Sequence, residues 1–262
     1  QQRLTAIVGP RTHVLTARHV KPHNPILMAG RLYLIPVPLS ETAPDRVLPG
    51  YNTGIVQTLR YFVVENLRSA RRFLKSCDKS IDIDSLTMVE LSEHTRREEV
   101  DAMLRPILDG ADCGVISEAG CPGVADPGAD IVALAQRHGI EVVPLVGPSS
   151  IIMGLMASGF NGQNFAFLGY LPIESHRRTA AIRDMQQRIA RNSQTQIFIE
   201  TPYRNNRLIR ELAATLPSDM LLCVASDITG PRQSIVTRTV SAWARADYNY
   251  DKIPTIFLLY KA

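Results

Sequence analysis

The segment SEAGCPGVADPG at positions 117–128 combines residue types that suit ligand binding better than regular structure. Its three glycines and two prolines disfavour both helix and strand. Glycine lets the backbone approach a ligand closely, proline holds that backbone rigid, and the carboxylates of Glu118 and Asp126 can accept hydrogen bonds from hydroxyls or an amine. Asp126 could instead only cap the helix expected after it. The composition predicts a rigid loop that forms one wall of a ligand site.

Two further segments have the same character. IPVPLS (35–40) brings Pro36 and Pro38 to the end of an apolar run, and VGPSS (146–150) brings Ser149 and Ser150 to the start of a helical pattern. These serines either face a ligand or cap the helix. No GxGxxG follows the first apolar run and no GxxxxGK[ST] occurs in the chain, so dinucleotide and P-loop phosphate sites are disfavoured.

Side chains able to move a proton occur outside these three segments. Glu65 follows the apolar run YFVV, where it could act as a base or pair with Arg68. His94 could also act as a base, but a lone histidine at a strand end more often packs or caps. Arg204 follows ETPY and could meet a phosphate, a ligand carboxylate or a surface acid. Cys121 is interpreted as a small filler beside the ligand loop.

These segments need a scaffold that brings strand ends together, and the apolar pattern predicts one. From residue 28 onward, apolar runs such as RLYLIPV (31–37) and CGVIS (113–117) alternate with helical patterns. Such alternation predicts α/β structure with a parallel sheet covered on both faces, and ligands bind beyond the carboxyl ends of such strands. We expect two α/β domains, 28–146 and 147–262, with the boundary near Val146.

Length and composition are those of a globular protein, with 262 residues of which 45% are hydrophobic. The net charge of +4 comes entirely from residues 1–27, which hold four basic and no acidic side chains, whereas residues 28–262 hold 25 of each. The positive charge is therefore no indication of a nucleic-acid partner. We expect residues 1–27 to be an N-terminal extension outside the fold.

The remaining composition bounds the surroundings of the protein. Its four cysteines are scattered and lack CxxC spacing, which indicates free thiols and a cytoplasmic location. No apolar run reaches the ~18 residues that span a bilayer, so we expect no membrane partner. The six histidines and four cysteines form no cluster with ligand spacing, so we expect no metal.

Four motifs, in order along the chain, carry a resemblance to a known family. SEAGCPGVADPG, VVPLVGPSSIIMGLMASGF, FLGYLP and FIETPYR resemble the tetrapyrrole methylase superfamily of S-adenosylmethionine-dependent methyltransferases. Within it, LYLIPVPLS with its Pro-x-Pro turn resembles the branch that methylates a cytidine ribose in small-subunit ribosomal RNA. The resemblance implies a homodimer of two-domain α/β chains, with a mostly parallel sheet in the first domain and a mixed sheet in the second. It also implies that S-adenosylmethionine binds in the cleft between the domains.

The resemblance further implies which residues contact the cofactor. They are Pro36 and Pro38 after the first strand, Glu118, Ala119 and Gly120 at the centre, Ser149 and Ser150 at the domain junction, and Ile199 and Glu200 from the second domain. Val224, Ala225, Pro254 and Thr255 would supply backbone around the adenine. A sulfonium methyl group is already activated, so its transfer needs alignment at about 3 Å, together with a base when the acceptor is a hydroxyl.

On the acceptor side the chain departs from the ribosomal RNA branch. It has ENLR (65–68) where that branch has Glu-Asp-Thr-Arg, HTR (94–96) for His-Asn-Glu, ASDIT (225–229) for Ala-Arg-Glu-Leu-Thr, and IP (253–254) for Gly-Glu. Asn66 is neutral and cannot accept a hydroxyl proton. The candidate catalytic residues are therefore Glu65, His94 and Asp227. Three functions stay open: methylation of RNA, ribosomal RNA in particular; methylation of a small molecule such as a tetrapyrrole; and cofactor binding without catalysis.

Overall fold

A computed structural model describes residues 29–261, which contain two five-stranded sheets. The strands of the first sheet are β1 (Leu32–Ile35), β2 (Tyr61–Val64), β3 (Thr87–Glu90), β4 (Cys113–Ile116) and β5 (Val142–Pro144). They are all parallel and lie in the order β3-β2-β4-β1-β5. This confirms the parallel sheet expected in the N-terminal part.

The second sheet is mixed, as the resemblance implied. Its strands are β6 (Phe165–Tyr170), β7 (Thr195–Ile199), β8 (Leu221–Ser226), β9 (Ser234–Thr239) and β10 (Thr255–Tyr260). They lie in the order β6-β7-β10-β8-β9, with β6 and β7 parallel and the other neighbours antiparallel.

Helices cover both sheets. They are α1 (Gly50–Thr58), α2 (Leu67–Cys77), α3 (Arg97–Leu108), α4 (Gly128–Arg137), α5 (Ser150–Ser158), α6 (Ser175–Asn192), α7 (Asn205–Thr215) and the short α8 (Val240–Trp243). Local sequence sets several of their ends. Asn66 caps α2 by accepting hydrogen bonds from the backbone N–H groups of Arg68 and Ser69, and Gly159 ends α5 in the left-handed conformation.

The first sheet is buried on both faces. Side chains alternate along its strands, so Leu32 and Val63 pack under α3 and α4, whereas Ile35 and Phe62 pack under α1 and α2. All four residues of β4 are buried. A continuous apolar run is typical of a parallel strand with helices on both sides, and this is why the sequence signal for β4 was clear.

The second sheet separates two apolar clusters. On one face Val224 and Phe257 pack against α6 and α7, and on the other face Ala225 and Ile256 pack against α5. Helix α5 lies close to the sheet at Gly154, where an added Cβ would be only 3.2 Å from the Ile256 side chain. The α5 face is the one that meets the loops of the first sheet, since Leu39 packs against its cluster.

The sequence pattern does not predict two of the strands, β3 and β9. Both lie at sheet edges and have no fully buried residue, so they lack the apolar run that marks a central strand. The expected strand 31–37 is also shorter, since only an isolated bridge between Val37 and Gly120 continues it. The expected extension 1–27 lies outside the described residues. Within residues 29–261, no helix combines the length and apolar character that a membrane span needs.

Candidate active site

A cavity of about 250 Å³ lies between the loops of the first sheet and the α5 face of the second. Seven of the predicted cofactor residues line it: Ala119, Ser150, Ile199, Glu200, Ala225, Pro254 and Thr255. The other lining residues are Leu39, Ser40, Tyr170, Pro202, Ile228 and Ile256. They come from segments as distant as 39–40 and 254–256, and the fold brings these segments together at one point.

Six predicted cofactor residues do not line this cavity. Pro38 and Glu118 line an adjoining groove, which shares Ser40 with the cavity and also contains Ser69 and Arg72. The groove therefore extends the site on the side of the first sheet.

The side chain of Val224 is not at the cavity, so the backbone contact expected of this residue stays a prediction, and Ser149 has the capping role that was its alternative. Val224 faces the core under α6 and α7, because neighbouring side chains of a strand point to opposite faces and Ala225 takes the cavity side. Ser149 is the N-cap of α5, where its hydroxyl accepts a hydrogen bond of 3.5 Å from the Ile152 N–H. The capping alternative therefore describes Ser149.

Pro36 and Gly120 shape the site by close packing of its loops. Gly120 has a φ of +71° and exchanges two backbone hydrogen bonds with Val37. A Cβ at Gly120 would lie 3.1 Å from the Leu39 side chain and 3.3 Å from the Pro148 carbonyl oxygen. Pro36 similarly fills the space where Gly147 lacks a side chain. Gly120 therefore permits contact between protein segments, rather than opening space for a ligand directly.

Asp126 binds local backbone N–H groups, which is the alternative to ligand binding given for it above. Its carboxylate accepts hydrogen bonds of 2.8 Å from the Gly123 N–H and 2.6 Å from the Gly128 N–H. Burial raises the pKa of this carboxyl, and the backbone hydrogen bonds oppose that rise. Asp126 thus satisfies backbone donors at the start of α4.

Glu65 lies where β2 and β4 end beside each other. Its Oε2 atom accepts a 2.8 Å hydrogen bond from the Glu118 N–H. The pKa of Glu65 is raised, chiefly by burial and further by the charges of Asp126 and Glu118, while the hydrogen bond from Glu118 opposes the rise. Among residues 29–261, Glu65 makes no ion pair with Arg68. A carboxyl in this environment is suited to accept a proton.

Asp227 is buried and both of its carboxylate oxygens are engaged. Oδ1 accepts a 2.7 Å hydrogen bond from the Ser40 hydroxyl, and Oδ2 accepts one of 2.8 Å from the Arg232 N–H. The residue has a φ of +49°, and its own N–H donates to the Pro254 carbonyl oxygen. Through Ser40, which lines the cavity, Asp227 acts as a positioning residue.

His94 lies in the turn after β3, and its side chain is 87% exposed. Its Nε2 atom is 3.6 Å from Glu93, another exposed side chain. It lines neither the cavity nor the adjoining groove. Glu65 and Asp227 also line neither of them, but they hydrogen-bond to the lining residues Glu118 and Ser40, whereas His94 lies beside Glu93 at the surface.

A buried ionic network, missed from the sequence, holds Glu200 at the cavity. Arg178 Nη1 lies 3.3 Å and Arg204 Nη2 lies 2.7 Å from the Glu200 carboxylate. Arg178 Nε is also 3.1 Å from Glu211, although its N–H is not directed at that oxygen. The sequence held one indication of this network. Arg178 is four residues before Ile182, so it lies on the apolar face of α6, where a buried arginine needs an acidic partner.

The comparison with protein families decides the identity of the chain. The sequence model of the family described as Tetrapyrrole (Corrin/Porphyrin) Methylases matches residues 55–244. The chain belongs to this family. As a tetrapyrrole methylase family member it is a methyltransferase, and the family implies S-adenosylmethionine as the methyl donor. Within residues 29–261, no group of three or more histidine, cysteine or acidic side chains is placed to hold a metal ion.

Relatives of this tetrapyrrole methylase family member carry a ribosomal name. Ribosomal RNA small subunit methyltransferase I of Vibrio cholerae is 26% identical over 234 residues, which cover 87% of this chain and 76% of that protein. The protein of the same name from Escherichia coli O157:H7 is 27% identical and covers 85% and 75%.

Solved structures share the fold. The methyltransferase CobJ superposes with a TM-score of 0.61 at 16% identity, covering 89% of this chain and 95% of its own. Uroporphyrin III C-methyl transferase from Thermus thermophilus gives a TM-score of 0.53 at 17% identity, covering 88% and 97%. At these identities the likeness concerns the fold alone.

Proposed function

We propose that this methyltransferase transfers a methyl group from S-adenosylmethionine to small-subunit ribosomal RNA, at a ribose-type hydroxyl. The observation that supports the acceptor most directly is the shared name of the relatives from Vibrio cholerae and Escherichia coli, which match over three quarters of their own length. The altered residues on the acceptor side favour a position different from the familiar cytidine.

The cavity fits the proposed cofactor chemically. Ile199, Ile228 and Ile256 offer an apolar surface for a flat adenine ring, while Ser40 and Ser150 offer hydroxyls for polar groups. Its volume of about 250 Å³ lies below the roughly 300–1,000 Å³ that is usual for ligand pockets, and the adjoining groove extends it. When bound, the cofactor supplies a methyl group on a positively charged sulfur.

Glu65 is the proposed base for the acceptor hydroxyl. Its pKa is raised by burial, so the carboxylate accepts a proton more readily than an exposed glutamate does. The hydrogen bond from the Glu118 N–H orients one oxygen and leaves the other oxygen for a substrate or a water. Asp227 positions the cavity residue Ser40, and His94 takes no part in the proposed reaction.

The proposed organisation is two domains, 28–146 and 147–262, with the cofactor between them, assembled as a homodimer. Three exposed apolar side chains near the boundary, Val146, Ile152 and Met156, support a pairing surface on and beside α5. Met156→Asp should therefore convert a dimer to a monomer in sedimentation, whereas a dimer that persists would place the interface elsewhere. The proposed location is the cytoplasm, with which four free cysteines agree.

A transfer assay tests the proposed acceptor. Ribosomes from a deletion strain are incubated with the purified protein and S-adenosylmethionine carrying a labelled methyl group, and the RNA is digested and analysed by mass spectrometry. We expect label on a ribose of small-subunit RNA. Label that reaches a small molecule and never RNA would replace this proposal with the small-molecule alternative, and no transfer to any acceptor would favour cofactor binding without catalysis.

A further inference from the structure

The overall charge balance conceals a separation between the two sheets. Residues 29–164, which contain the first sheet, hold 12 basic and 17 acidic side chains, whereas residues 165–261 hold 13 basic and 8 acidic ones. The two parts therefore carry net charges of −5 and +5. A polyanion approaching the cavity would be attracted to the side of the second sheet.

On that side, two tyrosines flank the cavity mouth. Tyr170 ends β6 and lines the cavity while 63% exposed. Tyr203 lies in the short 3₁₀ helix Pro202–Arg204 after β7, is 75% exposed and follows the cavity residue Pro202. Because β6 and β7 are parallel neighbours, the segments after them leave the sheet at the same edge. We call the exposed side chains Tyr170, Ile173 and Tyr203 the tyrosine rim.

The buried ionic network holds the parts of this rim together. Arg178 donates a 3.3 Å hydrogen bond to the Ile173 carbonyl oxygen and pairs with Glu200, which also binds Arg204 next to Tyr203. The segments after β6 and β7 are thus joined through side chains that are nearly inaccessible to solvent. The exposed rings are carried on a preorganised backbone, which lowers the cost of binding a partner.

Three exposed cations lie next to the tyrosine rim, either along the chain or by a backbone contact. Arg177 lies in the first turn of α6 and Arg207 in the first turn of α7, and both are exposed. Lys252 is also exposed, and its backbone N–H donates to the Pro202 carbonyl oxygen. Glu174 lies 3.6 Å from Arg177, but both side chains are more than half exposed, so this pair neutralises the surface only weakly.

We propose that the tyrosine rim binds a single-stranded segment of RNA next to the acceptor nucleotide. Tyr170 and Tyr203 stack on unpaired bases, while Arg177, Arg207 and Lys252 contact phosphates. Exposed aromatic rings interleaved with cations are the combination that single-stranded nucleic acids require. The inference rests on the proposed function. A second copy of this chain is disfavoured as the occupant, since a symmetric contact would bring two positive rims together.

Anisotropy of a short, labelled single-stranded RNA of mixed sequence tests the rim with the full chain. Tyr203→Ala and Tyr170→Ala should each weaken binding about tenfold, while Tyr203→Phe, which keeps the ring, should bind like the unchanged protein. Tyr51→Ala is the matched control, because Tyr51 is 66% exposed on α1, on the negatively charged part. Arg207→Ala should reduce the slope of log K against log salt by about one, and Arg191→Ala at the far end of α6 should not.

Two results would overturn the proposal that the tyrosine rim binds RNA. Tyr203→Ala could weaken RNA binding no more than Tyr51→Ala, or it could dissociate a dimer in sedimentation, which would make a second copy the occupant. The transfer assay separates this proposal from the proposed function. If Tyr203→Ala methylates ribosomal RNA with an unchanged KM, the proposed RNA binding by the rim is wrong and the proposed function stands. If RNA binding depends on Tyr203 but no RNA is methylated, the proposed function is wrong and the rim stands.

Discussion

The Ser40 hydroxyl donates a 2.7 Å hydrogen bond to the Asp227 carboxylate and thereby joins the loop after β1 to the loop after β8. The two residues are 187 positions apart in the sequence. Ser40 also lines both the cavity and the groove beside it. This one bond therefore links the two sheets at the place where the proposed cofactor and acceptor sites meet.

Ser40→Ala should destabilise the protein by about 1.5–3 kcal/mol, because a hydrogen bond to a buried carboxylate is lost. The affinity for S-adenosylhomocysteine should fall as well, since the two loops would be less firmly held. Urea denaturation and calorimetry measure the two effects. Ser85→Ala is the control, because that hydroxyl donates to the Asp82 carbonyl oxygen on an exposed turn. Equal stability of the two variants would contradict the proposed link.

Gly120→Ala should weaken S-adenosylhomocysteine binding and lower stability by more than the ~1–2 kcal/mol cost of a left-handed alanine. The added Cβ would meet both Leu39 and the Pro148 carbonyl oxygen. Gly159→Ala is a close control, since Gly159 has a φ of +79° and nothing within 4 Å of a built Cβ. If both variants lose the same stability and neither loses affinity, Gly120 has no role in shaping the cavity.

Glu65→Ala should reduce turnover by roughly a hundredfold or more while leaving cofactor affinity intact, which is the usual effect of losing a general base. Single-turnover transfer to RNA, with calorimetry of S-adenosylhomocysteine, measures both quantities. Glu93→Ala and His94→Ala are exposed controls near β3 and should stay within about twofold of the unchanged protein. A normal rate in Glu65→Ala would transfer the base role to another residue or a water.

The raised pKa of Glu65 also predicts a pH dependence. Transfer should accelerate as the pH rises through this pKa and level off above it, because only the deprotonated carboxylate can accept a proton. Burial disfavours the charge in the folded state, so stability falls as the pH rises from the unfolded pKa to the folded one. Glu65→Gln should therefore be more stable than the unchanged protein at pH 7, with the difference vanishing in acid. A destabilised Glu65→Gln at pH 7 would argue against this environment.

Arg178→Met should cost about 3 kcal/mol or more, because it leaves the buried Glu200 carboxylate with one fewer cation. Arg188→Met removes an exposed pair with Asp184 on the same helix and should change stability by less than about 1 kcal/mol. Guanidinium chloride denaturation of both variants gives the comparison. Similar losses would mean that the network contributes little to the cavity edge.

The local sequence predicted much of the fold and several of the residues that line the cavity. Buried parallel strands such as β4 are short apolar runs, and the loops after them are rich in glycine and proline, so their order predicted an α/β chain with ligand loops at strand ends. Strands β3 and β9 have no such run, since each lies at a sheet edge and its side chains are at most partly buried, and the sequence did not predict them.

Tertiary structure alone decided which residues meet. Ala225 faces the cavity and Val224 the core because β8 has one register against β10, and nothing in the pair of residues itself sets that register. The engagement of Asp227 by Ser40 and of Glu200 by Arg178 likewise depends on folding, since the partners are 187 and 22 residues apart. The opposite net charges of the two sheet regions can be counted in the sequence. Only the structure shows that the positively charged region borders the cavity mouth.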